Sequence, residues 1–291
     1  MNQYYARKQW LVAVFEDTMS LISKDTTLQQ AVSESIRSQQ LITENTPIDL
    51  PKPPYTQSAR VIVTKQRSLE AAARYVTEGL RTAVLNFASA SNPGGGVQSG
   101  ASAQEESLCR VSTLYPCLHD KRMWDLFYSP HRKTQNPLHN DDIIYTKDVV
   151  VVKDDDYNLL NERFKVDIIT CAAPNLREEP SNSYNPYDGI AGQNVLVENV
   201  SERSNSEHLL RLHEQRGRKI LAAAVQNGAE ALILGAFGCG AFRNDPQIVA
   251  RAYKNILPDY LHYFKTIEFA VWCRPADESN YLAFYEALED K

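Results

Sequence analysis

The stretch RVIVTKQRSLEAAARYVTEGLRTAVLNFASASNPGGG (residues 60–96) has two apolar runs with an amphipathic segment between them. The runs RVIVTK and TAVLNFAS have the composition of buried strands. SLEAAARYVTEG has the spacing of a helix, with Ser68 as its candidate N-cap and Gly79 at its end. The order strand, helix, strand predicts a β-α-β unit, and three consecutive glycines follow the second strand directly.

The alternation of strands and helices continues to the end of the chain. Residues 142–155 predict a hairpin with a turn at Lys147 and Asp148, and residues 102–118 predict a helix. Buried strands are also predicted at 166–174, 231–238 and 267–273, and helices at 206–228, 245–257 and 280–289. This order predicts a three-layer α/β/α fold with a mixed, mainly parallel sheet between two helical layers. Ligands of such sheets bind at the carboxyl ends of the strands.

The N-terminal segment departs from this alternation. From Tyr4 to about Asn45 the apolar residues recur every three or four positions, which predicts two amphipathic helices. TPIDLPKPPY (residues 46–55) then places four prolines in ten residues, which is typical of an extended connector. We therefore expect an N-terminal helical extension with its linker at residues 1–55 and a larger α/β domain at residues 56–291.

The composition narrows the classes of function. Of the 291 residues 43% are hydrophobic, and the net charge of −5 argues against general binding to nucleic-acid phosphates. The five cysteines form no C-x-x-C pair, which disfavours a disulfide framework and a structural zinc site. The sequence has no apolar run typical of a signal peptide or a membrane span, so we expect an intracellular protein that is not secreted and does not bind membranes. We also expect a monomer.

The first candidate binding loop is NPGGGVQSGASAQEE (residues 92–106), at the end of a predicted strand. Without side chains, the backbone of the three glycines is able to approach a phosphate or a ribose closely. Glu105 and Glu106 follow at the start of a helix, and adjacent carboxylates perturb each other's proton affinity, as an acid/base catalyst requires. The structural alternatives are a flexible turn and an acidic first helical turn.

The second candidate loop is GAFGCGAFRNDP (residues 235–246). Its glycines permit close approach to a diphosphate, and Phe242 is suited to lie against a sugar or base. Asp245 and Pro246 predict the start of a helix beside this anion site. The alternative is a glycine-rich turn with Phe237 and Phe242 in the core.

Other polar groups are expected to be structural. Asn175, after a third strand, is expected to bond local backbone groups, and residues 154–156 to form a hairpin tip rather than a cation site. His208 and His213 are expected to be solvated helix residues. The polar stretch near residue 185 predicts a loop. We expect neither a metal nor another cofactor.

Together the two glycine loops resemble those of the poly(ADP-ribose) glycohydrolases, in particular the compact bacterial-type and fungal-type members built on a macrodomain. The family signature is three glycines, a short spacer and Gln-Glu-Glu; here Gly94–Gly96, the seven residues VQSGASA and Gln104–Glu106 match it. The resemblance covers about residues 55–291 and implies a macrodomain-like fold. The N-terminal helices are similar to the helical extension of the compact members.

The resemblance also implies roles for single residues. Glu106 would be the acid/base that protonates the leaving ribose oxygen and then takes a proton from water, and Glu105 would hold the hydroxyls of the reacting sugar. Asn86, where animal-type members have an aspartate, is a candidate for bonding a sugar or the loop. The implied substrate-binding residues are Gly94, Gly95, Gly96, Val97 and Gln104 in the first loop, and Gly238, Cys239, Gly240, Ala241 and Phe242 in the second.

The leading hypothesis is therefore hydrolysis of the ribose–ribose bonds of poly(ADP-ribose) from the free end, with release of ADP-ribose. The expected partners are poly(ADP-ribose), ADP-ribose and poly(ADP-ribosyl)ated proteins. One alternative is removal of a single ADP-ribose from protein or nucleic acid, which would need no room beyond the reacting sugar. The other is a non-catalytic reader of ADP-ribose, which has no need of an acid/base carboxylate.

Overall fold

The computed structural model describes residues 3–134, 136–177 and 205–289. Its helices are α1 (Gln3–Lys24), α2 (Thr26–Ser38), α3 (Ser68–Thr77), α4 (Gln104–Val111), α5 (Leu114–Leu118), α6 (Lys121–Met123), α7 (Ser129–Thr134), α8 (Ser206–Gln226), α9 (Pro246–Ile256) and α10 (Ser279–Leu288). Within these described ranges, no helix has both the length and the apolarity needed to span a bilayer. The loop predicted near residue 185 lies outside them.

Seven strands form one mixed sheet. They are β1 (Gln40–Ile42), β2 (Arg60–Thr64), β3 (Thr82–Phe87), β4 (Ile143–Lys153), β5 (Leu159–Cys171), β6 (Ala231–Leu234) and β7 (Thr266–Ala270), in the spatial order β1-β4-β5-β3-β6-β7-β2. The neighbours from β5 to β2 are parallel, whereas β4 is antiparallel to both β5 and β1. The mixed, mainly parallel sheet is therefore confirmed, and five strands end at the same edge.

Helices cover both faces of this sheet. On one face α8 and α10 bury Ile220 and Phe284 against the strands. On the other face α3 buries Leu69, together with apolar residues of α1 and α4. Successive residues of β3 point to opposite sides, so that Leu85 belongs to the first core and Val84 to the second. The three-layer α/β/α arrangement is confirmed.

The hairpin turn predicted at Lys147 and Asp148 is wrong. Both residues lie inside β4, where the pairing register with β5 shifts between Thr146 and Val149. Asp148 has φ 55°, and its backbone N–H donates to the Asp167 carboxylate at 3.1 Å, so that this bulge absorbs the polar pair without ending the strand. The strand continues because the valines after the bulge pair with β5. The chain turns only after Lys153.

The helix predicted over residues 102–118 is interrupted. The chain leaves the helical path at Ser112 and Thr113, between α4 and α5. The Thr113 N–H donates to the Val150 carbonyl at 2.9 Å, and Ser112 forms an isolated β-bridge with Val151. Hydrogen bonding to β4 therefore replaces two positions of the helix.

The two predicted N-terminal helices are present as α1 and α2. The second ends at Ser38, earlier than the apolar spacing indicated, because residues 40–42 form β1 and pair with β4 at the edge of the sheet. A division of the chain near residue 55 stays a prediction.

Candidate active site

A cleft of about 680 Å³ lies at the sheet edge where the parallel strands end. The loops after β3, β5, β6 and β7 form part of its wall, and residues of α1, α3, α4, α10 and the β4–β5 turn form the rest. Both predicted glycine loops contribute to the cleft. The topology thus brings together two segments that are more than a hundred residues apart in the chain.

The first glycine loop wraps around the two predicted catalytic carboxylates. Gly95 has φ 58°, a conformation that favours glycine, and a Cβ atom at this position would collide with Oε1 of Glu106. The same Cβ would lie 3.1 Å from Oε2 of Glu105. The N–H of Gly96 donates to Oε1 of Glu106 at 2.8 Å. Glycine at position 95 therefore provides the space in which both carboxylates sit.

Glu105 is held rigidly beneath the loop and is only 2% exposed. Its Oε2 accepts from the Ser89 N–H at 2.7 Å, and its Oε1 accepts from the Asn86 amide at 3.4 Å. Burial, and after it the charge of Glu106, raise the pKa of the Glu105 carboxyl well above its usual range, although these hydrogen bonds favour the ionised form. Glu105 thus retains its proton at a pH where an isolated carboxyl would have lost it.

Glu106 has one oxygen fixed and one available. Oε1 accepts from Gly96, whereas the buried Oε2 has no hydrogen-bond partner among the described residues. The side chain lines the cleft and is 7% exposed. A buried carboxylate oxygen without a donor is costly, so this atom is a natural acceptor or donor for a bound molecule.

Gln104 braces the loop from below. Its Oε1 accepts from the Phe87 N–H at 2.9 Å, and its Nε2 donates to the Leu85 carbonyl at 2.7 Å and to Ser68 Oγ at 3.1 Å. These bonds tie the start of α4 to the end of β3 and to the start of α3. The structure gives Gln104 a positioning role, and its contact with substrate stays a prediction.

The structure places nine of the predicted residues on the cleft wall: Glu105, Glu106, Gly95, Gly96, Gln104, Gly238, Gly240, Ala241 and Phe242. Four lie off the wall: Asn86, Gly94, Val97 and Cys239. Asn86 is fully buried between Glu105 and Thr170, so it is placed to orient Glu105 rather than to reach a sugar in the cleft. Val97 is fully buried in the core on the α1 side.

The second loop presents unused backbone donors. Within the described parts of the chain, the N–H groups of Gly238, Gly240, Ala241 and Phe242 make no hydrogen bond. The helix start predicted at Asp245 is confirmed: its carboxylate accepts from the Gln247 N–H at 2.9 Å. Because the Asp245 carboxylate already caps the N-terminus of α9, the loop N–H groups are the donors that we expect to bind an anion.

Asn244 anchors this loop and was not found from the sequence. Its amide donates to the Pro174 carbonyl at 2.7 Å and to the Gly238 carbonyl at 3.0 Å, and its Oδ1 lies 2.9 Å from Nε2 of His213. The expectation of a solvated His213 is wrong, since the ring is 4% exposed. Burial lowers the pKa of His213 to about 4, so the ring is neutral at pH 7 and donates from Nε2 to Asn244.

Several cleft residues gave no signal in the sequence because they come from unrelated segments. Arg67, before α3, places its guanidinium 5.3 Å from the ring of Trp272, after β7. Arg7 and Lys8 of α1 and Tyr157 of the β4–β5 turn also line the cleft. In the described ranges, no group of three or more His, Cys, Asp or Glu side chains is arranged to hold a metal ion.

Comparisons with known proteins agree on one family. The family model for the catalytic domain of microbial-type PARG matches residues 12–154. A poly(ADP-ribose) glycohydrolase structure from Thermomonospora curvata is 31% identical with a TM-score of 0.81, covering 96% of this chain and 100% of that one.

Two ligand-bound structures are also similar. The T. curvata protein bound to the inhibitor ADP-HPD is 31% identical with a TM-score of 0.76, covering 96% of this chain and 99% of that one. A Deinococcus radiodurans poly(ADP-ribose) glycohydrolase in complex with ADP-ribose is 31% identical with a TM-score of 0.75, covering 88% and 96%. The search of curated proteins found no match. The chain therefore belongs to the bacterial-type poly(ADP-ribose) glycohydrolases, enzymes that hydrolyse the glycosidic bonds of poly(ADP-ribose).

Proposed function

We propose that this chain releases ADP-ribose from the free end of poly(ADP-ribose), with Glu106 as the acid/base and Glu105 as the residue that holds the reacting sugar. One observation carries the assignment of roles: of the two buried carboxylates at Gly95, Glu106 keeps a buried oxygen that has no partner among the described residues, whereas both oxygens of Glu105 accept hydrogen bonds. The free oxygen is the one able to exchange a proton with substrate and water.

The second loop binds the diphosphate. The N–H groups of Gly238, Gly240, Ala241 and Phe242, which make no hydrogen bond among the described residues, are donors on the cleft wall, and sets of backbone donors bind phosphate oxygens. Phe242, half-buried on the same wall, supplies a face for the sugar. Gly95 and Gly96 close the opposite side of the cleft. The similar proteins solved with ADP-ribose and with ADP-HPD support a ligand of this class.

A single proton shared by the carboxylate pair starts the reaction. Burial raises the pKa of Glu105, so before substrate binds this carboxyl holds the proton more readily than an isolated one does. Sugar hydroxyls that donate to Glu105 stabilise its ionised form and leave the proton to Glu106. Binding of the sugar to Glu105 thus leaves Glu106 with the proton that it donates as the acid.

Glu106 then serves in both halves of the reaction. It gives its proton to the ribose oxygen as the anomeric C–O bond breaks, and the ionised Glu105 stabilises the positive charge that develops on the sugar ring. Glu106, now a carboxylate, takes a proton from the attacking water, whose oxygen forms the new bond to the anomeric carbon. The products are ADP-ribose and a polymer that ends in a free hydroxyl, and Glu106 regains its proton.

Attack at the free end and the cellular setting complete the proposal. A cleft of about 680 Å³ is within the size range of small-molecule sites, so we infer that it takes the terminal ADP-ribose unit rather than a polymer threaded through it. All five cysteines are free, as suits a reducing compartment. We infer that the enzyme acts as an intracellular monomer on polymer attached to poly(ADP-ribosyl)ated proteins.

The test of this proposal is Glu106→Gln. The amide keeps the shape of the side chain but exchanges no proton, so we expect kcat for ADP-ribose release from poly(ADP-ribosyl)ated protein to fall by about 10²–10⁴-fold. The Kd for ADP-ribose, measured by calorimetry, should stay close to that of the parent. Glu286→Gln, on the exposed face of α10, is the matched control and should turn over like the parent. Normal turnover by Glu106→Gln would remove the acid/base role, and tight ADP-ribose binding without release by the parent would favour a reader.

A further inference from the structure

Helix α1 lies directly against Gly100 and Ala101, which come shortly before the catalytic pair in the chain. A Cβ atom at Gly100 would collide with the Lys8 carbonyl, which shows how closely α1 approaches the glycine loop. The buried Arg110 guanidinium donates to the Ala101 carbonyl and, at 3.2 Å, to the Leu11 carbonyl of α1. Arg7 and Lys8 therefore line the cleft beside Gly100 and Ala101, which lead into the helix that carries Glu106.

The tip of the β4–β5 hairpin reaches the same place. Lys153 Nζ lies 2.7 Å from the Asp17 carboxylate and so ties the hairpin to α1. Beyond it, Tyr157 lines the cleft and packs edge-on against Trp10 of α1, with 5.2 Å between the ring centroids. We call the three cleft-lining residues Arg7, Lys8 and Tyr157 the leaving-side wall.

Tyr157 is held in position by a strained turn. Its φ is 68°, a left-handed conformation that is unfavourable for a bulky residue. The Asp154 carboxylate builds this turn, since it accepts from the N–H groups of Asp156 and Asn158 at 2.9 and 2.8 Å. Strain that the surrounding structure maintains at a cleft is a reason to look for a function.

The chemistry of the wall differs from that of the molecule as a whole. The chain carries a net charge of −5, yet this wall offers two cationic side chains, and Arg7 makes no ion pair within the described residues. It also offers an aromatic face in Tyr157. Cations beside an aromatic ring are the groups that bind a diphosphate joined to a nucleobase.

We propose that the leaving-side wall binds the ADP-ribose unit that stays on the polymer when the terminal unit is released. Arg7 and Lys8 contact its diphosphate, and its adenine stacks on Tyr157. This inference rests on the proposed function, because the oxygen that Glu106 must protonate belongs to this remaining unit, which is the leaving group of the reaction. The wall makes a second unit a specificity determinant, whereas hydrolysis of a single ADP-ribose from a protein side chain would gain nothing from it.

Two substrates separate this inference from the catalytic assignment. The first is poly(ADP-ribose), and the second is a nitrophenyl glycoside of ADP-ribose, whose leaving group has neither diphosphate nor adenine. Arg7→Glu reverses the charge on an exposed side chain, and Tyr157→Asn removes the ring while tolerating the left-handed backbone. Arg251→Glu, on the exposed face of α9 and off the cleft wall, is the matched charge control.

For each variant we expect kcat/KM on the polymer to fall about tenfold, mostly through KM, with a much smaller change on the nitrophenyl substrate. The loss caused by Arg7→Glu should shrink as salt is raised, because it is electrostatic. Equal losses on both substrates, or no loss on the polymer, would overturn the inference. A parent inactive on both substrates would instead overturn the proposed function. Circular dichroism spectra confirm that each variant is folded.

Discussion

At the scale of single residues, Glu105 links the chemistry of the site to the stability of the protein. Its carboxyl is fully buried, and its pKa in the folded state is raised above that in the unfolded chain, which is about 4.3. As pH rises above about 4, the unfolded chain loses this proton first, which stabilises the unfolded state by about 1.4 kcal/mol for each unit between the two pKa values. The titration of this side chain should therefore make the parent less stable as pH rises.

We predict that Glu105→Gln becomes more stable relative to the parent as pH rises from 4 to 7. The new amide oxygen can accept from the Ser89 N–H, and its NH₂ group can donate to Oδ1 of Asn86 once the Asn86 amide turns over, since Nδ2 of Asn86 faces Glu105 in the parent. The measurement is urea unfolding at several pH values, with Glu286→Gln as control. Parallel curves for the parent and Glu105→Gln would contradict the raised pKa.

The sequence identified these residues, but it did not reveal the structural roles that some of them have. The Gln-Glu-Glu motif after three glycines identified the carboxylate pair, because side chains at a helix start beside such a loop share one cleft. It did not indicate that Gly95 makes room for the carboxylates themselves. It also did not reveal the bracing bonds of Gln104, since they join backbone atoms whose proximity exists only after folding.

At the scale of elements, the loop between β6 and α9 contains two glycines with different tasks. Gly238 has φ 78°, and a Cβ there would lie 2.6 Å from both the Ala173 methyl and the Asn244 amide. A Cβ at Gly240 would meet nothing within 4 Å. The first glycine shapes the loop, and the second leaves the cleft wall open to ligand.

Alanine substitutions at Gly238 and Gly240 should therefore differ in their effect on stability. We predict that Gly238→Ala lowers the free energy of unfolding by about 2–3 kcal/mol, since it combines backbone strain with the displacement of Asn244, and weakens ADP-ribose binding at least about tenfold. Gly240→Ala should stay within about 0.5 kcal/mol of the parent in stability. Thermal unfolding and calorimetry with ADP-ribose measure both effects. Equal destabilisation by the two substitutions would show that the loop is not anchored through Asn244.

Element types were predictable from periodicity, whereas their interruptions were not. Strands β2, β3, β6 and β7 and the second half of β5 are apolar runs, so their sequences indicate them directly. The strand predicted at 166–174 begins earlier, at Leu159, because the polar first half of β5 pairs with β4. The Lys147–Asp148 pair has the composition of a turn. Whether the chain turns there depends on the pairing of β4 with β5, which accommodates the pair as a bulge. In the same way the break at Thr113 depends on a hydrogen bond to β4.

At the scale of the whole molecule, the site joins segments from both ends of the chain. The cleft wall includes Arg7 near the N-terminus and Asn280 at the start of α10. An acidic chain thus places basic side chains where a polyanion has to bind. Net charge alone argued against general nucleic-acid binding, but it could not locate these basic side chains.

The last prediction concerns helix α1. It buries Leu11, Phe15 and Ile22, and Thr18 Oγ1 donates to the Arg110 carbonyl at 2.5 Å. Removing three such apolar contacts costs about 5–9 kcal/mol, which is comparable with the total stability of a domain. We therefore predict that a chain lacking residues 1–24 shows no cooperative unfolding transition and no activity, although both glycine loops are intact. Gln9→Ala, an exposed position on the same helix, should unfold like the parent. A cooperative transition for the shortened chain would show instead that α1 is a separable extension, and its ability to bind ADP-ribose would then reveal whether the leaving-side wall serves only the polymer.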